Sequence, residues 1–222
     1  MFIPVLVAAL LVASPVLSEE GEFSDDQKDV MYCVFAAVHC AETHLDKYSR
    51  IRSLEELRQI LANRSLVTEM AGSLQMTADC MERVQALPVC HGNLDWATIV
   101  PVLADFANSP GTIDKVVALS GSPCMTSEDV LRQAESAFNQ CGMTFDQTWG
   151  DQLCGSLTQL WQCLGDHGNQ LCGAVWGELY ASWTQFILSD ARRDILLAWV
   201  RSTYGVDFNS CEQDLLAHVN SV

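Results

Sequence analysis

Positive charge is scarce in this chain: 12 Lys and Arg stand against 28 Asp and Glu, a net charge of −16 at neutral pH. Such a balance repels phosphate backbones and anionic membrane surfaces, which disfavours both as partners; no nucleic acid partner is expected. Beyond the amino-terminal segment, no apolar run approaches the roughly 18 residues that a membrane span requires. The stretch Leu215 to Val222 also lacks the hydrophobic tail that a lipid anchor needs. Strand signals are missing as well. There is no alternation with a period of two and no Asn-Gly or Asp-Gly hairpin pair.

The amino terminus does carry a pattern. Phe2 to Val12 form an apolar run too short to span a bilayer, and Val16-Leu17-Ser18 fits the small-x-small cleavage rule just before Glu19. No Lys or Arg precedes the run, so only the terminal amine supplies positive charge. Residues 1–18 therefore read as a signal peptide. The mature chain is expected to be secreted and extracellular, with no membrane insertion after signal removal. All ten cysteines lie beyond that site: Cys33, Cys40, Cys80, Cys90, Cys124, Cys141, Cys154, Cys163, Cys172 and Cys211. An even number in an exported chain reads as a disulfide framework. Asn63-Arg64-Ser65 is a glycosylation acceptor on the same route, with Asn63 as the glycan site.

Helical periodicity runs through nearly the whole mature chain. Val30, Cys33, Val34, Ala37, Ala41, His44 and Tyr48 give one apolar face over about 26–48. Ser53-Leu54-Glu55-Glu56 is a capping box that opens a short second helix. A third runs from about Ser65 to Leu87, before Pro88, and a fourth from Trp96 to Ala107. Thr112 to Leu119 is short, and Ser127 caps a helix to Cys141 with Gly142 as its C-terminal cap. Phe145 to Leu164 and Asn169 to Leu188 are expected to form an αα-hairpin around Gly165-Asp166-His167-Gly168. Asp190 to Tyr204 and a final helix opened by the capping box Ser210-Cys211-Glu212-Gln213 complete the count. The expected fold is all-α, a disulfide-stapled bundle of about nine or ten helices.

Asn108-Ser109-Pro110-Gly111 breaks the chain between the first four cysteines and the last six. Residues 19–108 and 109–222 are thus expected to be two packed helical subdomains, with one continuous bundle as the alternative. Helix geometry excludes some bridges. Cys33 and Cys40 stand about 10 Å apart along one helix, beyond the roughly 7 Å Cα limit of a disulfide. Cys124 and Cys141 flank a helix of roughly 20 Å and are excluded in the same way. Two sets survive in the first half: Cys80 with Cys90 across Pro88, or a ladder of Cys33 with Cys90 and Cys40 with Cys80. In the second half, Cys163 and Cys172 face each other across the expected hairpin.

Local motifs for catalysis or metal binding stop short. Cys154-Gly155-Ser156 resembles the nucleophile segment of papain-like proteases, but Leu157-Thr158 follows instead of Cys-Trp. His39 and His44 are five apart, not the four that places two ligands on one helix face. Asp166-His167 has the order of the phospholipase pair reversed, and no calcium loop accompanies it. No metal, cofactor or catalytic residue is assigned, so an enzyme is not the expected reading, with a hydrolase ranked third. The spacing Cys154-x8-Cys163-x8-Cys172 resembles the last three cysteines of insect odorant-binding proteins, which are small, helical, secreted, acidic carriers. Their Cys-x3-Cys pair is absent here, and the family is not assigned.

Aromatic residues are the most informative cluster. Trp149, Trp161, Trp176, Trp183 and Trp199 are five of the six tryptophans, and Trp176, Tyr180 and Trp183 follow i, i+4, i+7 on one face. With Phe186 they suggest a Trp-lined pocket between helices, formed by Trp161, Trp176, Tyr180, Trp183, Phe186 and Trp199. A self-filled aromatic core and an exposed interface anchor are the competing readings. The leading expectation is an extracellular binding protein for a small apolar molecule. The alternative is a structural or protein-interaction module whose partner is an extracellular protein.

Overall fold

The computed structural model describes residues 25–51, 53–91, 99–148, 153–187 and 189. Side chains are described at all of these except 25–27, 143–148, 153, 154, 156 and 157. Nine α-helices and one 3-10 turn account for the described regular structure, and no strand occurs among the described residues. The chain is an all-α, disulfide-stapled bundle.

The first unit is a stapled helix pair. α1 (Asp25–Ser49) and α3 (Arg64–Gln85) are joined by Cys40–Cys80, and a 3-10 turn at Pro88–Cys90 brings Cys90 onto Cys33. Lys47 Nζ reaches Glu69 at 2.7 Å on the same seam. The three links pair rising positions on α1 with falling positions beyond it, so the helices are antiparallel. This is the ladder arrangement; Cys80–Cys90 does not form. Pro88, which has no N–H to leave unpaired, starts the turn that swings Cys90 back across the seam.

Along the chain between these helices comes α2 (Leu54–Ala62), whose start is the expected cap: Ser53 Oγ accepts from the Glu56 N–H at 3.1 Å. Asn63 then ends α2 and begins α3, its Oδ1 accepting from Ser65 N–H at 3.0 Å and Leu66 N–H at 3.3 Å. α4 (Ile99–Ala107) closes a core of Cys33, Ala37, Cys40, Ala78, Met81, Cys90, Val100 and Ala104. Three of these are alanines, which lets helix backbones approach closely.

After α4, Gly111 takes φ +80°, a left-handed conformation that glycine adopts without a Cβ penalty, and the chain turns into α5 (Thr112–Leu119). A one-turn helix α6 (Pro123–Thr126) carries Cys124, and α7 (Glu128–Thr148) and α8 (Leu153–Cys172) follow. Cys124–Cys172 and Cys141–Cys163 bind α8 antiparallel to α6 and α7. α9 (Ala174–Ile187) ends the described structure. The second core contains Leu61 and Val67 from α2 and α3 beside Leu119, Cys124, Met125, Ala134, Cys172 and Leu179. It therefore draws side chains from both sides of Asn108.

Two helix boundaries differ from expectation. α7 continues through Gly142 to Thr148, so that glycine is no cap. α8 likewise runs unbroken through Gly165-Asp166-His167-Gly168, and the reversal occurs at Gly173, with φ +83°. Cys163 and Cys172 are thus nine residues apart on one helix and pair elsewhere, with Cys141 and Cys124. The two internal glycines serve packing instead of turning. Among the described residues no cysteine is free. The Cys154 side chain, Cys211, Trp149, Trp199, the expected signal peptide 1–18 and the expected helices after residue 190 lie outside them.

Candidate functional site

α9 places its aromatic side chains against three other helices. Trp176 and Tyr180 are one turn apart and lie over α8, where Gly165 and Gly168 leave room for them. A Cβ at Gly165 would stand 2.8 Å from the Tyr180 ring, and one at Gly168 would overlap the Trp176 indole. Phe138 of α7 stacks on the other side of Trp176, with centroids 5.4 Å apart and planes at 25°. Trp176 in turn lies 6.3 Å from Tyr180 at 13°, and Tyr180 meets Trp161 at 6.1 Å. The result is a continuous row, Phe138–Trp176–Tyr180–Trp161.

The polar tips of this row are directed inward. Trp161 Nε1 donates to Thr184 Oγ1 at 2.8 Å, and Tyr180 Oη donates to the Trp161 carbonyl at 2.6 Å. Burial, followed by the negative charge of Asp166, raises the Tyr180 phenol above its ordinary range, so it stays neutral. Trp176 Nε1 is buried without a hydrogen-bond partner. Its location against Gly168 identifies close packing as the reason water is kept from it.

A second group occupies the far end of α9. Trp183 meets Phe106 of α4 edge to face, 5.1 Å between centroids at 72°, and Phe186 lies 5.3 Å from Phe106 and 6.5 Å from Trp183. All three side chains are half-buried. The stripe Trp176, Tyr180, Trp183 is therefore divided by its neighbours. Its first two members fill the α7–α8 seam, and the third joins α4.

Phe106 and Phe138 were not singled out from the sequence, because a single-helix stripe carries no information about which distant ring meets it. Of the other candidates, His39 is exposed on α1 and His44 is half-buried there. His167 instead stands beside the Cys141–Cys163 bridge.

What this arrangement offers chemically is apolar surface, ring faces and neutral hydrogen-bonding groups. That defines a class, an all-α disulfide-stapled bundle with a divided aromatic seam. No family model, curated protein or solved structure matches the chain.

Proposed function

We propose that this is an exported, glycosylated binding protein that takes a small apolar ligand against Phe106, Trp183 and Phe186. The observation that carries this reading is the half-buried three-ring group shared by α4 and α9. Rings that are partly exposed can gain burial from a ligand, and each large aromatic surface removed from water is worth about 1.5–3 kcal/mol. Trp161, Trp176 and Tyr180 move from ligand contacts to the wall behind, since their rings pack on one another and on Phe138, and the tips of Trp161 and Tyr180 are hydrogen-bonded within the protein. Four disulfides and a strongly acidic surface support an extracellular setting.

The test is a titration with N-phenyl-1-naphthylamine, a probe that fluoresces in apolar sites. Saturable binding should be lost in Trp183→Ala and retained in Trp161→Phe. Equal binding in wild type and Trp183→Ala would remove the assignment to these rings.

A second reading rests on α1. Tyr32 and Phe35 are one turn apart and 55% and 61% exposed, unusually open for large apolar side chains. This favours contact with another extracellular protein. Native mass spectrometry of material from its own fluid separates the two readings. A defined hetero-complex lost in Tyr32→Ser/Phe35→Ser would place the interaction role first.

A further inference from the structure

Cys141–Cys163 differs from the other described bridges in what stands beside it. Cys163 and His167 are one turn apart on α8, and an imidazole nitrogen and the two sulfurs all lie within 4.8 Å of one another. Among the described residues no other bridge forms such a group. Cys40–Cys80 has a histidine at the same spacing, His44 after Cys40, yet that ring is not gathered with both sulfurs. Burial is unequal within the pair, as it is in Cys40–Cys80, where Cys40 is 1% exposed and Cys80 half-buried. Cys141 is 1% exposed, whereas Cys163 is half-buried.

Exchange between a thiol and a disulfide needs one reachable sulfur to attack and a leaving thiolate that its surroundings stabilise. Half-buried Cys163 supplies the first, as Cys80 does in its own bridge, so the second requirement is what separates the two. For the second, even a neutral imidazole keeps one N–H donor, and a hydrogen bond to the charged form of a thiol favours that form.

We propose that Cys163 is the site at which a low-molecular-weight thiol forms a mixed disulfide, with His167 donating a hydrogen bond to the departing Cys141 sulfur. The incoming thiolate attacks Cys163 Sγ, and its electron pair makes the new S–S bond. The Cys141–Cys163 bond breaks, and its pair leaves on Cys141 Sγ as thiolate. One disulfide is consumed and one formed, so no oxidant or reductant is needed. Loss of the bridge unstaples α7, which carries Phe138, from α8 next to the aromatic row.

The experiment treats the native protein with reduced glutathione, quenches with iodoacetamide and maps the peptides by mass spectrometry. Glutathione on Cys163 with alkylated Cys141 is expected before any product from Cys40–Cys80. The rate is read as a ratio to the Cys40–Cys80 bridge, which cancels general loosening of the fold. That ratio should fall roughly three- to tenfold in His167→Leu and recover in His167→Gln, which restores an N–H donor. Earlier reaction at another bridge, an adduct on Cys141, or an unchanged ratio in His167→Leu would overturn the proposal. A fall that Gln does not restore would assign the effect to packing and equally overturn the donor role.

Discussion

The Trp176 indole lies against the backbone of α8 at Gly168, so close that a Cβ there would come within 1.8 Å of Nε1. This contact, with that of the Tyr180 ring on Gly165, explains why these two glycines sit in a helix interior, where each costs about 1 kcal/mol relative to alanine. Their missing side chains are what allow α9 to approach.

Gly168→Ala should therefore destabilise the protein by about 1–3 kcal/mol through overpacking, despite its better helix propensity. Gly72 is the control. It lies in the middle of α3 with nothing within 4 Å of a built Cβ. Gly72→Ala should stabilise by about 0.5–1 kcal/mol. Urea denaturation of both variants checks the pair, and equal effects would contradict the packing account.

The hydrogen bond from Trp161 to Thr184 is open to a double-mutant cycle. Thr184 is buried, so Trp161→Phe leaves its hydroxyl without that partner, at a cost of about 1–3 kcal/mol. Thr184→Val in the same background should recover part of the loss. A coupling of about 1 kcal/mol is expected; zero coupling would mean that the indole N–H is not held there.

Stability should decline in alkali. Burial raises the phenols of both Tyr180 and Tyr48 above their ordinary value. Unfolded tyrosine loses its proton near pH 10, while the folded protein keeps it, so the unfolded state binds fewer protons and folding stability falls as pH rises beyond about 10. Below that pH both states are protonated and these groups contribute no slope. Chemical denaturation across this range should show the decline, reduced in Tyr180→Phe.

The observed capping role of Asn63 can be separated from its proposed role as a glycan acceptor. Its Oδ1 caps α3, and a glycan would attach through Nδ2, which leaves the cap in place. Expressed through a eukaryotic secretory route, Ser65→Ala should lose the glycan and keep the helix. Asn63→Ala should lose both, with a stability cost of about 1 kcal/mol for the cap. Intact mass and thermal unfolding together distinguish these outcomes, and an unglycosylated wild type would remove the acceptor assignment.

Much of the helical framework was legible along the chain. The α1 face, the Ser53 cap, α5 and the break after α4 all rest on contacts within a few residues, which sequence spacing records directly. Exclusion of the intrahelical pairs also held, because the rise of a helix sets how far apart two of its cysteines must be.

Where the reading failed, the cause was distance along the chain. Gly165 and Gly168 look locally like turn residues. Whether such a glycine bends the backbone or admits a ring depends on Tyr180 and Trp176 arriving from α9. In the same way, composition and spacing established an acidic, cysteine-rich, all-α chain with a tryptophan-rich second half. Which cysteines met, and how the aromatic stripe divided between Phe138 and Phe106, was decided only by helix packing. Burial rewards a pairing of surfaces from different helices, and no local pattern encodes that pairing.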